Sequence, residues 1–161
     1  MDIHSNFLVI GSNSFSGSHF VEELLSKDIK VIGITGTNGK SSTAFYLHQL
    51  LSLKNLNATL LTNVPKISDL ENSELSPLTT PDKFLLHYYL KKSIDLGREY
   101  FLMEVSSHAI DQGRICGLNF ITKSLTNFSQ DHLDYHKNLN NYRETKKSFF
   151  NTISNNSNSF P

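Results

Sequence analysis

The run Gly33-Ile34-Thr35-Gly36-Thr37-Asn38-Gly39-Lys40-Ser41-Ser42 holds residue types that bind phosphate. Gly36 and Gly39 let backbone N–H groups close on phosphate oxygens, and the start of a following helix favours an anion. Lys40 brings a cation to the terminal phosphates, and Ser41 offers a hydroxyl to Mg²⁺. Thr37, Asn38 and Ser42 complete the candidate cofactor contacts. The usual P-loop spacing asks for glycine where Ile34 stands, so the match is a variant; the competing reading is an ordinary Gly-rich turn between strand and helix.

Other residues could complete such a site. Glu104 closes an apolar run, at the end of a strand where ligands of open α/β sheets gather, and its carboxylate is a hard donor suited to Mg²⁺. The alternative is a solvated acid. His132 follows the next run in the same manner, its alternative being a hydrogen-bonded loop histidine. Thr79, Thr80, Ser106, Gln112 and Arg114 supply hydroxyls, an amide and a guanidinium that suit an anionic sugar-nucleotide peptide. Thr79-Thr80-Pro81 also reads as a capping turn, Arg114 as a surface charge, and Lys146 as a solvated helical lysine.

The elements that must position these groups alternate between short β-rich runs and longer helical patterns, the grammar of an α/β protein with a mostly parallel sheet flanked by helices. Strands are expected at Phe7–Ile10, Lys30–Ile34, Ala58–Leu61, Tyr100–Val105 and Phe120–Leu125. Helices are expected at Gly17–Ser26, Lys40–Leu53, Asp82–Leu96 and Asn141–Phe149, with Pro81 opening the third. Val64–Pro77 reads as a loop, and 151–161, rich in Asn and Ser, as a disordered tail.

Thr35-Gly36-Thr37-Asn38-Gly39-Lys40-Ser41 resembles the ATP loop of the Mur ligases, which build the peptide of bacterial peptidoglycan. Three segments follow in that family's order and resemble its MurE type: Leu78–Asp82, Met103–Ala109 with Gln112 and Arg114, and Thr126-Asn127 through Asp131–His136. The resemblance covers about residues 29 to 150. It implies an ATP-dependent ligase that adds the third amino acid, diaminopimelate or lysine, to UDP-MurNAc-L-Ala-D-Glu through an acyl phosphate. It also implies Asn127 as a nucleotide contact; Ser41, Glu104 and His132 as Mg²⁺ ligands; and Thr79, Thr80, Ser106, Gln112 and Arg114 as contacts to the UDP-MurNAc-dipeptide. Tyr142–Phe150 is similar to the family's Tyr-x-x-Ala-Lys-x-x-Leu-Phe, with Thr145 and Phe149 in place of Ala and Leu. There the lysine is carbamylated, which makes Lys146 a candidate support for a second Mg²⁺, since a carbamate can ligate a cation and an ammonium cannot. Lys40, Lys146, Glu104 and His132 are then the candidate catalytic residues.

Two other patterns compete. Phe7–Leu25 resembles the first strand, turn and helix of an NAD-dependent sugar-nucleotide epimerase or reductase, and Tyr142 and Lys146 satisfy that group's Tyr-x-x-x-Lys. With 6 tyrosines and 12 lysines in 161 residues, such a pair arises readily by chance. The strand at Lys30–Ile34 also leads into Thr35–Asn38 instead of the acidic residue a ribose requires. His132 and His136 could suggest zinc, but no Glu follows His132.

The expected organisation is therefore an epimerase-like segment over 1–28, a truncated Mur ligase central domain over 29–150, and the tail. Such a fragment would be inactive alone, with a complementing chain as a possible partner, or would be a non-catalytic nucleotide-binding remnant. Fifteen basic and 15 acidic residues give zero net charge, which argues against an electrostatic nucleic-acid binder. The single Cys116 forms no internal disulfide, and no apolar run approaches the roughly 18 residues of a membrane span. A cytoplasmic protein is expected.

Overall fold

Lys30–Thr35 (β1) is a near-continuous β-branched and apolar run buried beyond its first residue, the signature of an interior parallel strand. In the structure, a computed structural model that describes residues 29–62 and 78–151, β1 lies between Tyr100–Glu104 (β3) and Phe120–Leu125 (β4), with Ala58–Leu61 (β2) beyond β3. The sheet order is β2-β3-β1-β4 and every pairing is parallel. The expected α/β class with a mostly parallel sheet is what the fold shows. The expected strand at Phe7–Ile10, helix at Gly17–Ser26 and loop at Val64–Pro77 lie outside the described residues, as does the expected tail apart from Asn151.

Strand alternation splits the core into two layers, one on each face of the sheet. Ile32 and Ile34 of β1, Ala58 and Leu60 of β2 and Leu102 of β3 pack with Ala44 of the helix Lys40–Leu53 (α1). On the opposite face Val31, Phe101 and Met103 pack with Leu86, Tyr89 and Leu90 of the helix Lys83–Asp95 (α2) and with Phe149 of the helix Leu139–Asn151 (α5). Two short helices complete the chain order, Ser107–Asp111 (α3) and Leu133–His136 (α4).

Several boundaries differ from expectation for local reasons. α2 starts after Asp82, whose Oδ1 accepts the N–H groups of Phe84 and Leu85, so Pro81 precedes the cap and does not open the helix. The third strand stops at Glu104, with Val105 N–H bonded to Ile34 O. α5 is two residues longer at each end than its apolar pattern, with Asn138 Oδ1 accepting the Asn141 N–H near its start.

Gly33 is needed for packing. A Cβ there would stand 2.7 Å from ring atoms of both Phe120 and Phe149, which meet edge to face at a centroid distance of 5.2 Å. That close approach seats α5 against β1.

Candidate nucleotide and phosphoryl site

The loop 36–39 turns from β1 into α1 through two glycines with positive φ. Gly36 has φ 148°, and a Cβ there would lie 1.9 Å from Thr126 Oγ1; Gly39, at φ 80°, occupies the N-cap of α1 and makes no side-chain cap. The first-turn N–H groups of a helix have no intrahelical partner, so this 14-residue helix opens with its donors directed out of the loop, where an anion is favoured. Ser41 is half-buried and Ser42 exposed in that first turn.

A second segment braces the loop from the end of β4. Thr37 N–H donates to Asn127 O at 3.1 Å and Asn38 N–H to Asn127 Oδ1 at 3.0 Å, while Asn127 Nδ2 donates to Asn38 O at 2.9 Å. Thr126 Oγ1 also donates to Asn38 O, at 2.6 Å. Asn127, expected as a nucleotide contact, thus has its amide on the loop backbone itself.

Lys40 Nζ donates to Gly36 O and Thr37 O, both at 2.9 Å, and so lies across its own loop. Burial lowers its pKa, opposed by the charges of Glu104 and Asp131. Glu104 is 2% exposed and pairs in register with Ile34, so alternation puts it on the α1 face, within electrostatic reach of Lys40.

Lys146 reaches the same loop from α5. It is 4% exposed, and its Nζ donates to Thr35 Oγ1 at 3.2 Å and Gly36 O at 3.1 Å. Burial first, and the neighbouring Lys40 second, lower its pKa to about 8, with Asp131 opposing. An ammonium with so little water around it is poised to give up its proton.

On the far side of the loop, Thr80 is fully buried; its hydroxyl donates to Glu104 O at 2.9 Å and accepts the Ser106 N–H at 3.0 Å. Ser106 caps α3 through Ala109 N–H. Arg114 donates from Nη1 to Thr80 O at 2.8 Å and from Nε to Gln112 Oε1 at 2.9 Å, with Nη2 on the same Gln112 oxygen. Gln112 Nε2 in turn donates to Tyr135 OH, which donates to Asp111.

His132 stands at the N-cap of α4 with φ 50°, its Nε2 3.6 Å from Asp131 Oδ2. Its ring meets His108 edge to face, with centroids 5.0 Å apart. Burial, then His132 and Arg114, lower the His108 pKa. His136 shares this cluster, its Nε2 3.0 Å from Ser107 Oγ.

A cavity of about 260 Å³ joins these parts, lined by Gly36, Lys40, Leu78, Thr79, Ser106, Ser107, His108, Arg114, His132 and Lys146. The chain therefore brings together six expected site residues besides Gly36 from five separate segments. Thr80, Glu104, Gln112 and Asn127 do not line it, nor do Thr37, Asn38 and Gly39 of the loop or Ser41 and Ser42 on the opening turn of α1. Among the described residues no three His, Cys, Asp or Glu side chains converge on one metal position. The oxygen donors on Ser41 and Glu104 suit Mg²⁺, which commonly takes one or two protein ligands and fills its shell with phosphate oxygens and water.

Residues 34–160 match the Mur ligase middle domain. The chain belongs to the Mur ligase family. The UDP-N-acetylmuramoyl-L-alanyl-D-glutamate--2,6-diaminopimelate ligase of Helicobacter pylori is 49% identical over 122 residues, 76% of this chain and 27% of that protein. The ligase of the same name from Wolinella succinogenes is 45% identical over 130 residues, 81% of this chain and 30% of that one. A solved structure of a ligase with this name superposes with a TM-score of 0.67 at 28% identity, over 83% of this chain and 27% of that one. The chain thus spans less than a third of the length of the curated relatives it matches.

Within this Mur ligase domain, four residues carry contacts that motif reading assigned no site role. Asp131 acts on both lysines, Thr126 bonds the loop, His108 lines the cavity, and Tyr142 bonds Thr37. The available signal was spacing. Tyr142, Lys146 and Phe149 recur at helical intervals and had to share one face. Among the described residues no helix is long and apolar enough to cross a membrane.

Proposed function

We propose that this chain carries the ATP·Mg²⁺ site and part of the muramyl-peptide site of a ligase that joins diaminopimelate to UDP-MurNAc-L-Ala-D-Glu. The observation that carries the reading is the single cavity shared by Lys40, Lys146, Arg114, Thr79, Ser106 and His132 beside a glycine-rich helix start. The names of relatives 49% and 45% identical supply diaminopimelate as the third amino acid.

In this reading the amides of the loop and first turn of α1 hold the phosphates, and Lys40 leaves its two carbonyl partners to meet them. Ser41 and Glu104 would hold Mg²⁺, with His132 beside it; the metal supplies neutralisation of phosphoryl charge. Arg114, its guanidinium oriented by Thr80 and Gln112, offers its remaining donors to a substrate carboxylate at the cavity wall. Thr79 and Ser106 add hydroxyl contacts to the dipeptide. The D-Glu side-chain carboxylate would take the phosphoryl group and then the amine of diaminopimelate.

Lys146 is the candidate for carbamylation. At a pKa of about 8, roughly a tenth of its amine is neutral at pH 7, against roughly one part in three thousand at the ordinary 10.5, and only the neutral amine attacks CO₂. The carbamate would bring a carboxylate to the metal side of the loop.

In this reading the uridine and the incoming amino acid would be held by residues other than those assigned above, in a longer chain or a complementing one. Orientation of two reactants supplies roughly 7–11 kcal/mol of barrier reduction, so the 161 residues alone should bind ATP·Mg²⁺ without ligating. A coupled assay for ADP release, with UDP-MurNAc-L-Ala-D-Glu and diaminopimelate or lysine, tests this. Release that depends on diaminopimelate from a complemented or extended chain, lost in Lys40→Ala, supports the reading; release that ignores the amino acid refutes it.

A further inference from the structure

Three side chains on one face of α5 track β1 and the loop in antiparallel register. Phe149 packs at Gly33, Lys146 bonds Thr35 and Gly36, and Tyr142 bonds Thr37. Tyr142 is fully buried, and its hydroxyl is 3.1 Å from Thr37 Oγ1. The direction of that bond follows from counting protons. Thr37 Oγ1 donates its one proton to Ser129 O at 3.1 Å and accepts the Ser129 N–H at 3.0 Å, which leaves one lone pair for Tyr142 to fill as donor.

Thr37 is the loop residue through which these contacts act. Its N–H is on Asn127 O, and its carbonyl receives Lys40 Nζ. Its hydroxyl joins the loop to residues 128–132, where Phe128 stacks on the Tyr142 ring at 5.2 Å and His132 meets the ring edge at 6.1 Å. The same ring lies 5.0 Å from Lys146 Nζ, within cation–π range. One phenol thus touches the loop, the His132 segment and the buried lysine.

We propose that Tyr142 is a positioning residue for phosphate binding: by donating to Thr37 it holds the loop's amides in their phosphate-facing arrangement. The inference rests on the ATP reading for its ligand, but the hold on the loop is independent of it. Tyr142→Phe keeps the ring, its stacking and its burial and deletes one donor, so the domain should stay folded.

The test compares wild type, Tyr142→Phe, Thr37→Val and the double variant Tyr142→Phe/Thr37→Val, with Tyr88→Phe as an exposed control. Two quantities are read: amide hydrogen exchange without nucleotide, and ATP·Mg²⁺ affinity by calorimetry. Exchange at Thr37 and Asn38 should rise about fivefold in Tyr142→Phe, the fold-change of one net hydrogen bond, while amides of Phe101–Met103 stay as in wild type. ATP·Mg²⁺ should bind about fivefold more weakly in the same variant. Tyr88→Phe should behave as wild type, and in the Thr37→Val background Tyr142→Phe should add no further loss. Unchanged loop exchange, exchange that rises equally in β3, or loop exchange that rises with ATP affinity intact would each overturn the proposal. Should wild type bind no ATP·Mg²⁺, the nucleotide reading falls, and the exchange data still decide whether Tyr142 holds the loop.

Discussion

Lys40 and Lys146 converge on one oxygen: the carbonyl of Gly36 accepts Nζ of the first at 2.9 Å and of the second at 3.1 Å. Two cations on a single acceptor repel each other, and Lys146, the more buried, yields. Its proton affinity falls to about pH 8 through burial first and Lys40 second, leaving the loop with one firm cation and one amine ready for chemistry.

The pH dependence of stability follows from that shift. A folded pKa near 8 against an unfolded 10.5 means that the unfolded chain binds more protons between those values. The penalty at this site is therefore complete below pH 8 and is relieved as pH rises through the window. In CO₂-free buffer, the stability of wild type relative to Lys146→Met should improve from about pH 7.5 to about pH 9.5, read from urea melts. A difference that stays flat across that range contradicts the buried-ammonium account.

Carbamylation gives Lys146 a second prediction. In bicarbonate the native intact mass should rise by one CO₂, and Lys146→Ala should bind ATP·Mg²⁺ at least about tenfold more weakly while keeping its exchange-protected core. Wild-type affinity in the variant would contradict the proposed metal role of Lys146.

Gly33→Ala should be among the most damaging single-methyl additions in the domain. The new Cβ meets Phe120 and Phe149 at 2.7 Å, so α5 must shift away from β1, at a cost of about 1–3 kcal/mol. Because Lys146 and Tyr142 sit on the same helix face, ATP·Mg²⁺ affinity should fall together with the melting temperature. A stable Gly33→Ala that binds nucleotide normally would show that α5 does not set the site.

Gly36→Ala differs in kind. Its Cβ would fall 1.9 Å from Thr126 Oγ1 at a φ of 148°, so the loop must leave its brace on Thr126 and Asn127. Nucleotide binding should vanish with only a modest drop in melting temperature; retained binding would disconnect the brace from the phosphate site.

How much of this could be read from residue order depends on the kind of contact. The apolar run before Gly33 and the glycines before Lys40 announce strand, loop and helix, because burial and positive φ restrict residue type locally. Ser107–Asp111 and Leu133–His136 were not legible as helices, since four or five residues are too few to display a 3.6-residue period. Lys146 reads as a solvated lysine in a polar helix, and its burial becomes apparent only when α5 lies over Gly33 and the end of β1. Thr80 reads as a substrate contact, yet its hydroxyl ties the end of β3 to Ser106, a long-range bond that sequence spacing cannot disclose. The expected segment over 1–28 lies outside the described residues.

On the proposed reading, the loop at 36–42 binds ATP·Mg²⁺ and depends on Lys40 to do so. A thermal-shift titration of the full chain with ATP·Mg²⁺ and, separately, with NAD, repeated on Lys40→Ala, tests it directly, because only a ligand that favours the folded state raises its melting temperature. At about 100 times its Kd, ATP·Mg²⁺ should add about 2.7 kcal/mol to wild-type stability and none to Lys40→Ala, with NAD leaving both unchanged. Stabilisation by NAD, or an ATP·Mg²⁺ shift that survives intact in a folded Lys40→Ala, would contradict it.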